Sequence, residues 1–351
     1  MDTQLAVEWS QTYIMVDVKL KKVKARVTSY CVAEEAGVSQ SAVSRAYNPG
    51  GSVSKKTKEK VFAAAKNLGY RPNAIARSLI NKRSNMIGIV MADVTNPFYP
   101  AVLELLVTKL QDVDLRPMIL MASRDQQVDD LLPQLLEYQI DGLIITSATL
   151  SSSMADTCSE MGVPVVLFNR SVPSSSCSSI CCDNVGAARQ VAQLFLDNKY
   201  SRIAYMAGVE DTSTNKDRQQ GFYETLTEQG IEPQYVVGHY TYDGGFQAAL
   251  ALAEEGQYPR AIFCANDMMA MGAMDAIRYH LNLSIPKDVA VVGFDDIDNA
   301  HWPVYNLTTV KPSVERMVQR TVDNLVESQN RDDPVTVMEV VAAQLVRRES
   351  A

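Results

Sequence analysis

The sequence predicts a small all-α helix-turn-helix domain followed by an α/β body of two doubly wound lobes. Three observations carry that expectation. The 351-residue chain has a net charge of −8, yet residues 1–84 hold 15 Lys/Arg against 6 Asp/Glu while residues 85–351 hold 18 against 35. Before residue 84 the apolar residues recur at helical spacing in short segments broken by turn signals. From Met86 onward, short apolar runs alternate with amphipathic stretches, the pattern of parallel sheets covered by helices. A basic head on an acidic body assigns any polyanion contact to the head.

Residues 1–26 read as a basic arm with Lys19, Lys21, Lys22, Lys24 and Arg26, and with Met15 as an alternative start. Such an arm adds phosphate contacts that carry no sequence preference. Residues 27–72 form the helical domain. Thr28 or Ser29 caps a first helix that runs through Val32, Ala33 and Ala36 to Gly37. Ser39 caps a second, Gln40–Tyr47, with Val43 and Ala46 turned inward. After the break at Asn48-Pro49-Gly50-Gly51, Ser54 opens a third helix whose Val61, Phe62, Ala65 and Leu68 fall at spacings of three and four.

The first two helices, joined by a Gly-containing turn, make a helix-turn-helix whose second helix can lie in a major groove. Its outward residues are Gln40, Ser41, Ser44 and Arg45. Gln pairs with adenine, Arg with guanine, and Ser with base edges or phosphates.

Here the chain resembles the lactose-repressor (LacI/GalR) family of transcription regulators. The matching residues are Val27 to Tyr30, Val32 to Glu34, Ala36 to Ser39, Val43 to Arg45, and the run from Gly69 through Arg71-Pro72-Asn73 to Leu79. Cys31 departs from the family's usual Asp, with Thr28 left as cap. The resemblance implies that Gln40, Ser41 and Arg45 read bases while Tyr30, Ser39, Ser44, Asn48 and Ser54 hold phosphates, with Thr28, Asn73 and Ala76 in the same DNA-binding set. It also implies a hinge over residues 73–84 that orders on operator DNA, with Leu79 as an apolar wedge in the minor groove. A core role for Leu79 fits less well, because Ser78 and Asn81-Lys82-Arg83-Ser84 flank it.

In the body, strands are expected at 86–92, 117–121, 142–146, 164–168, 203–207, 235–238, 261–264 and 289–293, with helices such as 102–111, 128–138, 187–196 and 268–279 between them. So long a stretch exceeds one compact core, so two lobes are expected, about 85–184 with 312–340 and 185–311 with 341–351. The family resemblance covers nearly all of residues 27–351, and the body is similar to periplasmic sugar-binding proteins. Ligands of open α/β sheets bind outside the carboxyl ends of strands. Those ends supply Asp93, Phe98, Arg124, Asn169 and Arg170, Arg218, Asn266 and Asp267, and Asp295.

The family match strengthens Arg218, Asn266 and Asp295 as effector-binding residues and adds Tyr240 as an aromatic closing the cleft; Phe98 can stack on a sugar face. Asp267 reads better as the cap of the following helix, and Arg170 can equally bridge to a surface carboxylate. The three arginines Arg124, Arg170 and Arg218 leave a neutral sugar, a sugar acid and a phosphosugar all open as effectors. The implied protein is a homodimeric, allosteric repressor of pseudo-palindromic operators; the C-terminal segment shows no leucine heptads that would make a tetramer.

The alternative is a doubly wound enzyme, but GxGxxG, phosphate-loop, GxSxG and HExxH motifs are all absent, and only three His occur. The six Cys form no CxxC pair and read as reduced thiols, so no metal or cofactor is expected. No apolar run approaches the roughly 20 residues that cross a bilayer, and the first residues lack a signal-peptide pattern. A secreted binding protein is thereby disfavoured, and a cytoplasmic location is the expectation.

Overall fold

The computed structural model describes residues 27–48, 51–72, 83–91, 94–122, 128–146, 152–172, 177–254, 257–331 and 336–351. The chain divides into two compact units, Met1–Arg77 and Ser78–Ala351. The basic arm of residues 1–26 and the hinge calls on Asn73, Ala76 and Leu79 lie outside the described residues.

The head consists of α1 (Ser29–Ala36), α2 (Gln40–Tyr47) and α3 (Lys55–Leu68). Val32, Ala33, Val43, Ala46, Val61, Ala64 and Ala65 form its core. All seven are Ala or Val, and such small side chains let three short helices cross closely. Gly37 ends α1 at φ 62, a left-handed conformation that a Cβ disfavours, and its N–H returns to the α1 carbonyls. Ser39 caps α2 by accepting from Ala42 N at 3.2 Å, and Ser54 caps α3 by accepting from Thr57 N at 3.1 Å. Thr28 occupies the N-cap position of α1 but makes no side-chain cap bond, a correction to its expected role; its hydroxyl instead meets Cys31 Sγ at 3.4 Å. Phe62, expected inward, is exposed and lies edge-on to Tyr47, while Ala64 takes the core position.

The body contains two six-stranded sheets. The first holds β1 (Met86–Met91), β2 (Arg116–Met121), β3 (Gly142–Ile145), β4 (Val165–Phe168), β5 (Ser178–Cys182) and β11 (Met338–Val341), in the order β11-β5-β4-β3-β1-β2. The second holds β6 (Ile203–Ala207), β7 (Gln234–Val237), β8 (Ala261–Cys264), β9 (Ala290–Phe294), β10 (Thr308–Pro312) and β12 (Ala343–Val346), in the order β12-β10-β9-β8-β6-β7. All neighbours are parallel except β10 and β12.

Alternation along β1 shows why both faces are apolar: Ile87, Ile89 and Met91 enter one core and Val90 another. Parallel strands covered by helices on both faces need this. The helices are α4 (Phe98–Asp112), α5 (Val128–Glu137), α6 (Ser152–Glu160), α7 (Asn184–Asp197), α8 (Ser213–Thr227), α9 (Tyr242–Glu254), α10 (Asp267–Tyr279) and α11 (Val314–Gln329).

The chain passes between sheets three times: after β5, after β10 and between β11 and β12. These passages sit beside strands absent from the expected set. The run Ser178–Cys182 holds one large apolar residue, and β10, β11 and β12 are short or half-exposed, so none carries a strong apolar pattern. Pairing to a neighbour strand makes them β.

Candidate functional site

Two regions present functional side chains, one in each unit. In the head, Gln40, Ser41 and Arg45 are exposed on α2, with Ser44 half-buried beside them. The side-chain nitrogen of Gln40 donates to Ser29 Oγ at 3.3 Å, and Ser39 Oγ lies 2.9 Å from Ser41 Oγ. Tyr30 is 71% exposed, Ser54 is exposed at the start of α3, and Asn48 is half-buried after α2. Among the described residues, none of the head's Lys or Arg side chains sits in an ion pair. Arg45, Lys55, Lys56, Lys58 and Lys60 therefore keep their charge available to an outside polyanion.

In the body, the carboxyl ends of strands from both sheets meet in a buried polar cluster. Arg218 on α8 is its centre and is 3% exposed. Its Nε donates to Asn184 Oδ1 at 2.8 Å, a terminal nitrogen donates to the Ala265 carbonyl, and another lies 3.8 Å from Asp295 Oδ1. The guanidinium carbon sits 3.5 Å over the Phe294 ring, which fixes its plane by cation–π attraction.

Asn266 caps α10 by accepting from Met269 N at 2.9 Å and donates to the Tyr240 carbonyl at 3.1 Å. Gly208 permits Tyr240 to lie where it does, because a Cβ there would come within 2.1 Å of the ring. The Tyr240 hydroxyl meets Thr212 Oγ1 at 3.2 Å and Thr214 Oγ1 at 3.3 Å.

From the first sheet, Asn169 and Arg170 follow β4 and Asn96 to Tyr99 lead into α4. Arg170 donates to Thr214 Oγ1 at 2.5 Å, which ties the β4 end to α8. Asn96 accepts from Phe98 N at 3.1 Å. Phe98 is buried and edge-on to Tyr99, so its ring packs in the core, while Tyr99 interacts electrostatically with Arg170, Asp295 and Tyr240. Asn169 (φ 55) directly after β4, Asp295 (φ 119) and Asp296 (φ 52) directly after β9, and Tyr240 (φ 60) three residues past β7 all adopt positive φ. Backbone strain in non-glycine residues collects where a site over-determines the chain.

Burial pushes the Asp295 carboxyl up to about 6, against the opposing pull of Arg218, a hydrogen bond from Asn96, and Arg170. Behind it, Asp267 is fully buried and burial pushes its carboxyl up to about 7, with the Asp295 charge adding to the rise. Asp267 accepts from Thr309 Oγ1 at 2.5 Å and from Ile297 N at 3.0 Å. It is therefore a clamp between α10 and the β9–β10 region, and Asn266 is the helix cap that had been assigned to Asp267.

Asp93 and Arg124 lie outside the described residues. Asn169, Arg218, Tyr240, Asn266 and Asp295 come together in this cluster, and Arg170, Thr214, Tyr99 and Asn184 join them. Arg170 proves buried against Thr214, and among the described residues it has no carboxylate in ion-pair contact. Asn184 was missed because β5 just before it was missed.

An exposed, cation-bearing recognition helix on one unit, and a buried polar cluster between two parallel sheets on the other, define an effector-responsive DNA-binding regulator. Residues 84–337 match the model of periplasmic binding proteins and the sugar-binding domain of the LacI family, and residues 30–73 match that of bacterial regulatory proteins of the lacI family. The chain belongs to the LacI family of bacterial regulatory proteins.

Catabolite control protein A of Priestia megaterium is 32% identical over 85% of this chain and 89% of its own length. The HTH-type transcriptional regulator GalS of Salmonella typhimurium is 30% identical over 92% of this chain and 96% of its own. Among solved structures, the lac repressor dimer bound to operator and the anti-inducer ONPF covers 93% of this chain and 99% of its own, with TM-score 0.84 and 29% identity. The complex of the transcriptional regulator CelR with cellobiose covers 93% of this chain and 100% of its own, with TM-score 0.70 and 30% identity. Among the described residues no helix is long and apolar enough to cross a membrane.

Proposed function

We propose that the chain is a cytoplasmic, homodimeric transcriptional repressor whose operator affinity is set by a small polar effector, a sugar or sugar derivative, bound between the two sheets. Gln40, Ser41 and Arg45 read base edges, and Tyr30, Ser39, Ser44, Asn48 and Ser54 hold phosphates, so that phosphate contacts set register and base contacts set sequence. Effector bound against Arg218, Asn266, Asp295 and Tyr240 of one lobe and Asn169 and Arg170 of the other touches groups from both lobes and biases the equilibrium between their open and closed arrangements. The chain acts by binding rather than by catalysis, in keeping with relatives that are transcription regulators.

One observation carries the reading: Arg170, just after β4 of the first sheet, and Arg218, on the helix that follows β6 of the second, converge with Asp295 and Tyr240 on one buried cluster. A pairwise set of donors and acceptors of this kind suits hydroxyl groups. The test is selection of duplexes from a random pool, followed by anisotropy titration with and without sugars. A pseudo-palindrome should be enriched and its affinity should change on adding an effector. No preference over random duplex under any condition sinks the proposal.

A further inference from the structure

The chain enters the body through a bonded joint at the amino-terminal edge of the first sheet, opposite the carboxyl edge that holds the polar cluster. One carboxylate organises it. Asp141, just before β3, accepts from Ser84 N at 3.1 Å and Ser84 Oγ at 3.2 Å on one oxygen, and from Asn85 N at 2.7 Å on the other. Its own N–H donates to the Met86 carbonyl at 2.8 Å, and its carbonyl accepts from the Gln329 side-chain amide at 3.2 Å. Gln329 ends α11, and its backbone carbonyl accepts from Arg83 at 2.5 Å, where a cation also suits the negative end of the helix. The Asn85 carbonyl accepts from Arg116 N at 2.7 Å, at the start of β2. Asn85 itself has φ 55, a left-handed turn that these bonds hold in place.

Strands β2 and β3 and helix α11 thus all grip residues 83–85, the segment that follows the expected hinge in sequence. Helix α11 belongs to the same lobe: Met317, Val318, Val322 and Leu325 are buried in its core, and Arg320 Nε donates to Glu339 of β11 at 2.7 Å. Just before α11, Ser313 Oγ donates to the Ala342 carbonyl at 2.9 Å, which ties two of the three passages between the lobes to each other. A slack entry would absorb any turning of the first lobe about those passages, whereas a joint bonded to it must follow. We infer that Asp141 is a positioning residue of operator control: its carboxylate makes residues 83–85 part of the rigid first lobe, so that movement of the lobe is delivered to the chain that leads to the head. The inference rests on the functional reading above and names the residue through which the body acts.

The test uses the full chain and needs no effector. Ser171 N donates to Ser213 Oγ at 3.1 Å from one lobe to the other. Ser171→Cys with Ser213→Cys, in a Cys31→Ser background, therefore forms a disulfide under mild oxidation when the lobes meet there. By reciprocity, an operator whose binding senses the lobes must alter their equilibrium. With Asp141 intact, the selected operator duplex should change the rate of disulfide formation by about fivefold or more against a scrambled duplex, and Asp141→Asn should cut that change below about twofold. Amide exchange at Ser84 and Asn85 should quicken in the same variant while exchange in β4 and β6 stays as it was, which separates a loosened joint from a general loss of stability. Should Asp141→Asn fail to fold, Arg83→Met, at an exposed position, gives the same comparison and should at least halve the operator's effect; a full response there overturns the inference. An equal response with and without Asp141 overturns it too and leaves the functional reading standing. A duplex that binds selectively yet never alters the rate, even with Asp141 in place, overturns both the inference and the allosteric part of that reading.

Discussion

Arg45 in the head and Arg218 in the body are the same side chain used in opposite ways. Arg45 is exposed and without an ion-pair partner among the described residues, and its binding energy is realised only on an outside partner. Arg218 is buried with every prong occupied, and it holds the inside of a site in shape. The difference teaches where each unit keeps its specificity: the head presents groups on a small rigid core, while the body preorganises groups away from water.

Four measurements sharpen or break that contrast. The largest effect should come from Arg218→Ala, which leaves Asp295 and Asn184 buried without their partner and should destabilise the body by about 3–5 kcal/mol in denaturant unfolding. A loss below about 1 kcal/mol would mean that Arg218 is held by the site rather than holding it. Next, Arg45→Ala should remove about 1–3 kcal/mol of discrimination between operator and scrambled duplex. It should leave the body's unfolding midpoint in place; a shift there would tie the head's surface to the body's core.

Ser39→Ala removes the cap of α2 and should cost the head about 1 kcal/mol, seen as an earlier loss of helical signal in the isolated transition of the head. The smallest effect is on pH dependence. Asp295 and Asp267 have folded-state values raised to about 6 and about 7 from 3.8, so their contribution to stability is full below about pH 3.8 and is lost as pH rises through 6 and 7. Asp267→Asn should flatten the fall in midpoint over that window; an unaltered profile would place the titrating group elsewhere.

Much of this was legible in the residues. The turn at Gly37, the cap at Ser39 and the small core residues are local, and the strands with strong apolar runs announce themselves. Reading strand ends found Asn169, Arg218, Asn266 and Asp295, because the carboxyl edge of a parallel sheet is where side chains leave the core. What stayed hidden depends on partners distant in sequence. Strand β5 reads Ser-Ser-Ile-Cys-Cys and becomes a strand only between β4 and β11. Phe98 and Tyr99 are adjacent aromatics, and only packing against the α4 core decided that Phe98 turns inward while Tyr99 faces the charges. Likewise, Asn266 and Asp267 are both good caps, and the buried hydroxyl of Thr309 drew Asp267 away from that role.

The sequence by itself determined the division into a basic helical head and an acidic α/β body, the face of α2 that meets solvent, and the residue types at the strand ends. Those follow from charge, periodicity and capping, which act over a few residues. Only the tertiary structure decided that Arg218 meets the Asp295 carboxylate while Arg170 bonds to the Thr214 hydroxyl. Burial and ion pairing are sums over side chains brought together from residues as far apart as 96 and 295, and no local pattern contains them.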